Sequence, residues 1–106
     1  MLVSCAIVHG TPPQVFLADD LDTLNWVLAL QLVAQSRAED FTASIRHDLR
    51  EALLDERWGD AVAAWITATG QAVDVFASFD VHEHDRLPSE FAAIELQFTP
   101  LFRAED

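Results

Sequence analysis

From Leu2 to Val8 apolar side chains follow one another with Ser4 as the single strongly polar interruption, and most of them are β-branched or small. A run of this kind predicts a strand covered on both faces or lying in the middle of a sheet. Gly10 to Pro13 break it and Val15 to Ala18 resume it, the pattern of an N-terminal β-hairpin. Asp19 and Asp20 then offer N-cap oxygens, and Asp22 puts negative charge in the first turn, so a helix is expected from here to about Ser36. At ~100° per residue, the stretch Trp26 to Ala34 is apolar around nearly its whole circumference. A helix of that kind is buried, either within its own chain or against another.

Arg37 to Asp40 form a polar connection, after which Thr42 or Ser44 can cap a second helix reaching to about Arg57. Phe41, Ile45, Leu49, Ala52 and Leu53 recur at three or four residues, leaving Arg46, His47, Asp48, Arg50 and Glu51 toward water. Gly59 interrupts, Asp60 can recap, and Trp58, Val62, Trp65 and Ile66 line a third helical segment that ends at Gly70. The second and third segments read equally as two helices or as one bent rod.

Beyond Gln71 the period becomes two: Val73, Val75, Ala77, Phe79 and Val81 alternate with Asp74, Phe76, Ser78, Asp80 and His82. After the polar stretch HEHDRLPSE, Ala92, Ile94, Leu96 and Phe98 alternate with Ala93, Glu95, Gln97 and Thr99, which predicts a second hairpin. The expected fold is therefore α+β, an antiparallel sheet of about four strands with two or three helices packed on one face. The 106 residues suit a single domain spanning 1–106, with residues 100–106 as a flexible acidic tail.

Composition narrows the classes of function. Eighteen acidic residues against six basic ones give a net charge of -12, which disfavours nucleic acid and anionic lipid as direct partners. The longest apolar run, Trp26 to Ala34 interrupted only by Gln31, falls far short of the ~20 residues a membrane-spanning helix needs. Cys5 is the only cysteine, so neither an intramolecular disulfide nor a cysteine metal cluster can form, and a reducing cytoplasm is the expected location. The first ten residues lack the positive n-region of a signal peptide.

Candidate chemistry is sparse. Asp80, His82 and His84 share one face of an extended strand, and imidazole with carboxylate suits a divalent cation; a charged strand end entering solvent explains the same residues. His9 would join that set only if its strand neighboured the same end of the sheet. Arg46, Arg50 and Arg57 fall within about 40° of one another on a helical projection. They suit an anionic ligand, or simply cover the edge of the apolar stripe with their stems. No nucleophile elbow, phosphate-binding glycine loop, H-E-x-x-H or EF-hand pattern occurs, and nothing positively indicates an enzyme. The leading expectation is a small acidic non-enzymatic interaction protein, a homodimer or an accessory subunit of a larger assembly. Its interface would be anchored by Trp26, Leu30, Val33, Trp58 and Trp65. The alternative is a divalent-metal-binding protein, or a metal-dependent enzyme, using Asp80, His82 and His84.

Overall fold

A computed structural model describes residues 1–82 of the chain. The element order is β1 (Leu2–Val8), β2 (Gln14–Ala18), α1 (Leu21–Leu28), a π-helical segment (Ala29–Val33), a short 3-10 turn (Ala38–Asp40), α2 (Ala43–Leu54), α3 (Trp58–Thr69) and β3 (Val73–Asp80). The sheet is antiparallel with strand order β2-β1-β3, so the expected α+β class holds and β1 is central. A fourth strand over 92–99, and the acidic tail at 100–106, lie outside the described residues.

Strand pairing assigns the two faces of the sheet. Ala6 lies opposite Phe16 and Val75, and Val8 opposite Gln14 and Val73. Ala6, Phe16, Ala18 and Val73 all pack with the helices, which therefore cover this one face. Because side chains alternate along a strand, Cys5, Leu17 and Phe76, which lie opposite one another, belong to the other face, together with Ile7, Val15 and Val3.

The core on the helical face is built from Ala6, Leu24, Leu28, Ala29, Val33, Leu49, Ala52, Ala61, Val62 and Trp65. Asp20 caps α1, its Oδ1 accepting from the Thr23 backbone N–H at 2.7 Å. The expected regular helix to Ser36 is not what forms. After Leu28 the backbone opens into a π turn, with the Ala34 N–H donating to the Ala29 carbonyl at 2.9 Å. A π turn accommodates one more residue than an α turn. The buried positions run Leu24, Leu28, Ala29 and Val33, so that Leu28 and Val33 stand five residues apart across the π turn. Trp65 fixes the end of this segment: its Nε1 donates to Ser36 Oγ at 2.7 Å, and Ser36 Oγ donates to the Leu32 carbonyl at 2.8 Å.

Thr42 caps α2 as expected, its hydroxyl accepting from the Ile45 N–H. The second and third helices are separate. Glu56 adopts a left-handed conformation with φ 58°. The Arg57 N–H then donates to the Ala52 carbonyl at 2.8 Å and the Glu56 N–H to the Leu53 carbonyl at 3.1 Å. These are the two bonds of a Schellman stop, formed here around a glutamate. Gly59 does not interrupt the helices, contrary to expectation; it sits in the first turn of α3, where an added Cβ would meet the Asn25 side chain at 3.3 Å. Gly70 closes α3 in the left-handed region, as the sequence predicts.

β3 departs from simple alternation. Val3 lies opposite Phe79 and Cys5 opposite Phe76, so three steps on β3 match two on β1. The extra residue is a β-bulge opposite Ser4, and it turns Phe79 onto the same face as Phe76. Ser4, almost completely buried, donates its hydroxyl to the Ala77 carbonyl at 2.8 Å and so satisfies an acceptor within the bulge. The polar interruption in an otherwise apolar strand thus has a structural partner.

Candidate functional site

Two groups of exposed apolar side chains stand out among the described residues. The first is on α1, where Trp26 remains 46% exposed and Leu30, one turn further on, is partly exposed. Of the five residues expected to anchor an interface, Val33 and Trp65 are buried in the chain's own core, and Trp58 is half-buried against it. Trp65 is further tied down by its hydrogen bond to Ser36. The structure therefore leaves Trp26 and Leu30 accessible and places the other three in or against the core.

The second area is the sheet face turned away from the helices. Val15 is 59% exposed, Leu17 48%, Phe76 40% and Phe79 36%. The Phe76 and Phe79 rings lie 5.4 Å apart, centroid to centroid, and tilted by 49°, a favourable aromatic arrangement. Cys5 and Val3, between these flanking side chains on the central strand, are buried. This face holds three strands' worth of apolar side chains on a rigid scaffold. Sequence reasoning missed it, because strict alternation assigns Phe76 and Phe79 to opposite sides. A signal was present nonetheless: two aromatics three apart, separated by the small residues Ala77 and Ser78, inside a strand of period two.

The carboxylate and imidazole groups at the strand ends are exposed and paired. Asp80 Oδ2 lies 3.1 Å from His82 Nε2, and Asp80 Oδ1 accepts from the Met1 ammonium at 3.1 Å. His84, the third expected ligand, lies outside the described residues. His9 is at the opposite end of β3, its Nε2 2.6 Å from Asp74 Oδ2, so it does not join the Asp80 group. Among the described residues no group of three His, Cys, Asp or Glu side chains is arranged to hold a metal ion. Nor is any helix there long and apolar enough to cross a membrane.

The three arginines of the predicted stripe divide. Arg57 pairs with Asp55 at 3.5 Å and with Asp60 at 3.2 Å beside the Schellman stop. Arg46 and Arg50 stay together on α2, both bordering a cavity between α2 and the segment that follows α1. No family model, no curated protein and no solved structure matches this chain.

Proposed function

We propose that this protein works by association, as a homodimer or as an accessory subunit of a larger protein assembly, and that it presents the outer face of its sheet to the partner. The observation that carries this reading is the group Val15, Leu17, Phe76 and Phe79, all substantially exposed on one face. Contiguous exposed apolar surface on a folded chain marks an interaction site more often than it persists unused. The tilted pair Phe76 and Phe79 on β3 supplies the kind of aromatic anchor that interfaces favour. Trp26 and Leu30 on α1 form a second, smaller contact area. The charge of -12 keeps copies apart at long range and disfavours acidic partners. Apolar burial therefore has to supply the affinity.

Light scattering on the purified protein, followed by affinity capture from its native cytoplasm, tests the proposal. A dimer or a reproducibly captured partner is expected. Substituting Leu17→Asp together with Phe76→Asp should weaken that association by roughly 30-fold or more, the loss of an interface hot spot, with circular dichroism unchanged. A wild-type monomer that captures no partner would overturn it.

The divalent-metal alternative rests on the contact between Asp80 and His82. A Zn²⁺-dependent rise in melting temperature, removed by His82→Ala with His84→Ala, is what it requires. A melting temperature indifferent to Zn²⁺ would end it.

A further inference from the structure

The arginines that do not pair with carboxylates point to a second site. Of the four in the described residues, Arg37 pairs with Glu39 and Asp40, and Arg57 with Asp55 and Asp60. Arg46 and Arg50 have no carboxylate partner among the described residues, although the chain carries three times as many acidic as basic side chains. Both line one cavity of about 260 Å³, whose walls are otherwise largely apolar: Val33, Phe41, Leu49 and Leu53.

Local structure accounts for this placement. Arg46, Leu49, Arg50 and Leu53 stand at i, i+3, i+4 and i+7 on α2, one face of the helix. The π turn contributes Val33 to the lining, and the 3-10 turn ends at Phe41, which lines it too. Arg46 is held at the rim, its Nη1 donating to the Ala38 and Phe41 carbonyls at 3.2 Å each. Those bonds fix the plane of the guanidinium and leave its Nε and Nη2 donors without a partner among the described residues. Arg50 adds a second, exposed guanidinium one turn along.

We infer that this cavity binds a small amphipathic monocarboxylate, its aliphatic or aromatic body against Val33, Phe41, Leu49 and Leu53 and its carboxylate on Arg46 and Arg50. The guanidinium fork matches a carboxylate in two parallel hydrogen bonds. At about 30 Å³ per water-sized unit of liquid, the volume holds a molecule of on the order of ten non-hydrogen atoms. A single negative charge suits the site better than a dianion, because the rest of the protein is strongly negative. The inference concerns a different surface from the outer sheet face and does not depend on the association proposed above.

Octanoate is the probe, titrated into the full-length protein by calorimetry and followed by amide shifts along residues 33–53. Saturable one-to-one binding is expected. Arg50→Gln should weaken it roughly tenfold, the loss of one charge-assisted hydrogen bond. Arg57→Gln removes the same charge outside the cavity and should leave the affinity unchanged. Arg46→Gln should weaken binding too, with circular dichroism used to confirm that the 38–41 turn survives. Absence of saturable binding would overturn the inference. So would equal affinity for octan-1-ol, tighter binding of octyl phosphate, or an Arg57→Gln loss as large as that of Arg50→Gln.

Discussion

Asp20, Ser4 and Ser36 each sit where a regular element begins, bends or ends, and each gives a backbone group the partner that regular geometry withholds. Ser4 serves the bulge carbonyl of Ala77, and Ser36 serves both the Leu32 carbonyl and the indole of Trp65. Among the described residues no buried side-chain nitrogen or oxygen is left without a partner. Asp20 is the one whose contribution varies with pH. Hydrogen bonds from the Thr23 backbone, and then from its side chain, hold the Asp20 carboxyl below the ordinary carboxylate range. The folded state therefore favours the ionised form. Its contribution is complete above the unfolded value of about 3.9 and fades as pH falls through the lower folded value. Asparagine caps comparably and carries no such titration. Thermal melts of the Asp20→Asn variant should accordingly lose less between neutral pH and about pH 3 than the wild type does. Equal acid sensitivity in the two proteins would contradict this role for Asp20.

At the scale of elements, the junction between α2 and α3 is the clearest case of geometry outrunning sequence signal. The left-handed residue of a Schellman stop is usually glycine, since a side chain there costs about 1 kcal/mol or more. Here that residue is Glu56, so Glu56→Gly should raise the urea midpoint by the equivalent of about 1 kcal/mol, partly offset by greater freedom in the unfolded chain. A lowered midpoint would show that the glutamate side chain makes a compensating contribution. Reading glycine as the helix breaker places the interruption at Gly59, three residues late, whereas Gly59 lies inside α3 where an added Cβ would come within 3.3 Å of the Asn25 side chain. The caps Asp20, Thr42 and Gly70 were legible because each uses its residue type in its usual role. The π turn was not, since a run as apolar as Trp26 to Ala34, broken only by Gln31, carries too little phase information to reveal an added residue. The same limit applies to β3. Its two-residue period correctly announces a strand, but the register shift opposite Ser4 is a property of the pair β1–β3 and is written in neither strand alone.

For the molecule as a whole, the α+β class followed from the order of periodicities, two then three-and-a-half then two. What that order left open was which apolar surface remains outside. The first helix leads into a nearly uninterrupted apolar run, yet Leu28, Ala29 and Val33 of that run are buried in the core, and Val15, Leu17, Phe76 and Phe79 stand exposed on the far side of the sheet. Charge had the opposite history. The overall acidity says little about a site, while the two arginines it fails to neutralise locate a cavity. The bulge in β3 carries one more consequence. A segment such as VDVFASFD, rich in valine and phenylalanine, is the kind that templates endless strand-by-strand growth when its edge is straight and in register. The misaligned step between Phe76 and Phe79, with Asp74 and Asp80 on either side, interrupts that register and puts both rings on one face. Pairing through a face can close after one partner, whereas addition at an edge repeats without limit. On the association proposed above, the irregularity favours pairing through the face over growth at the edge.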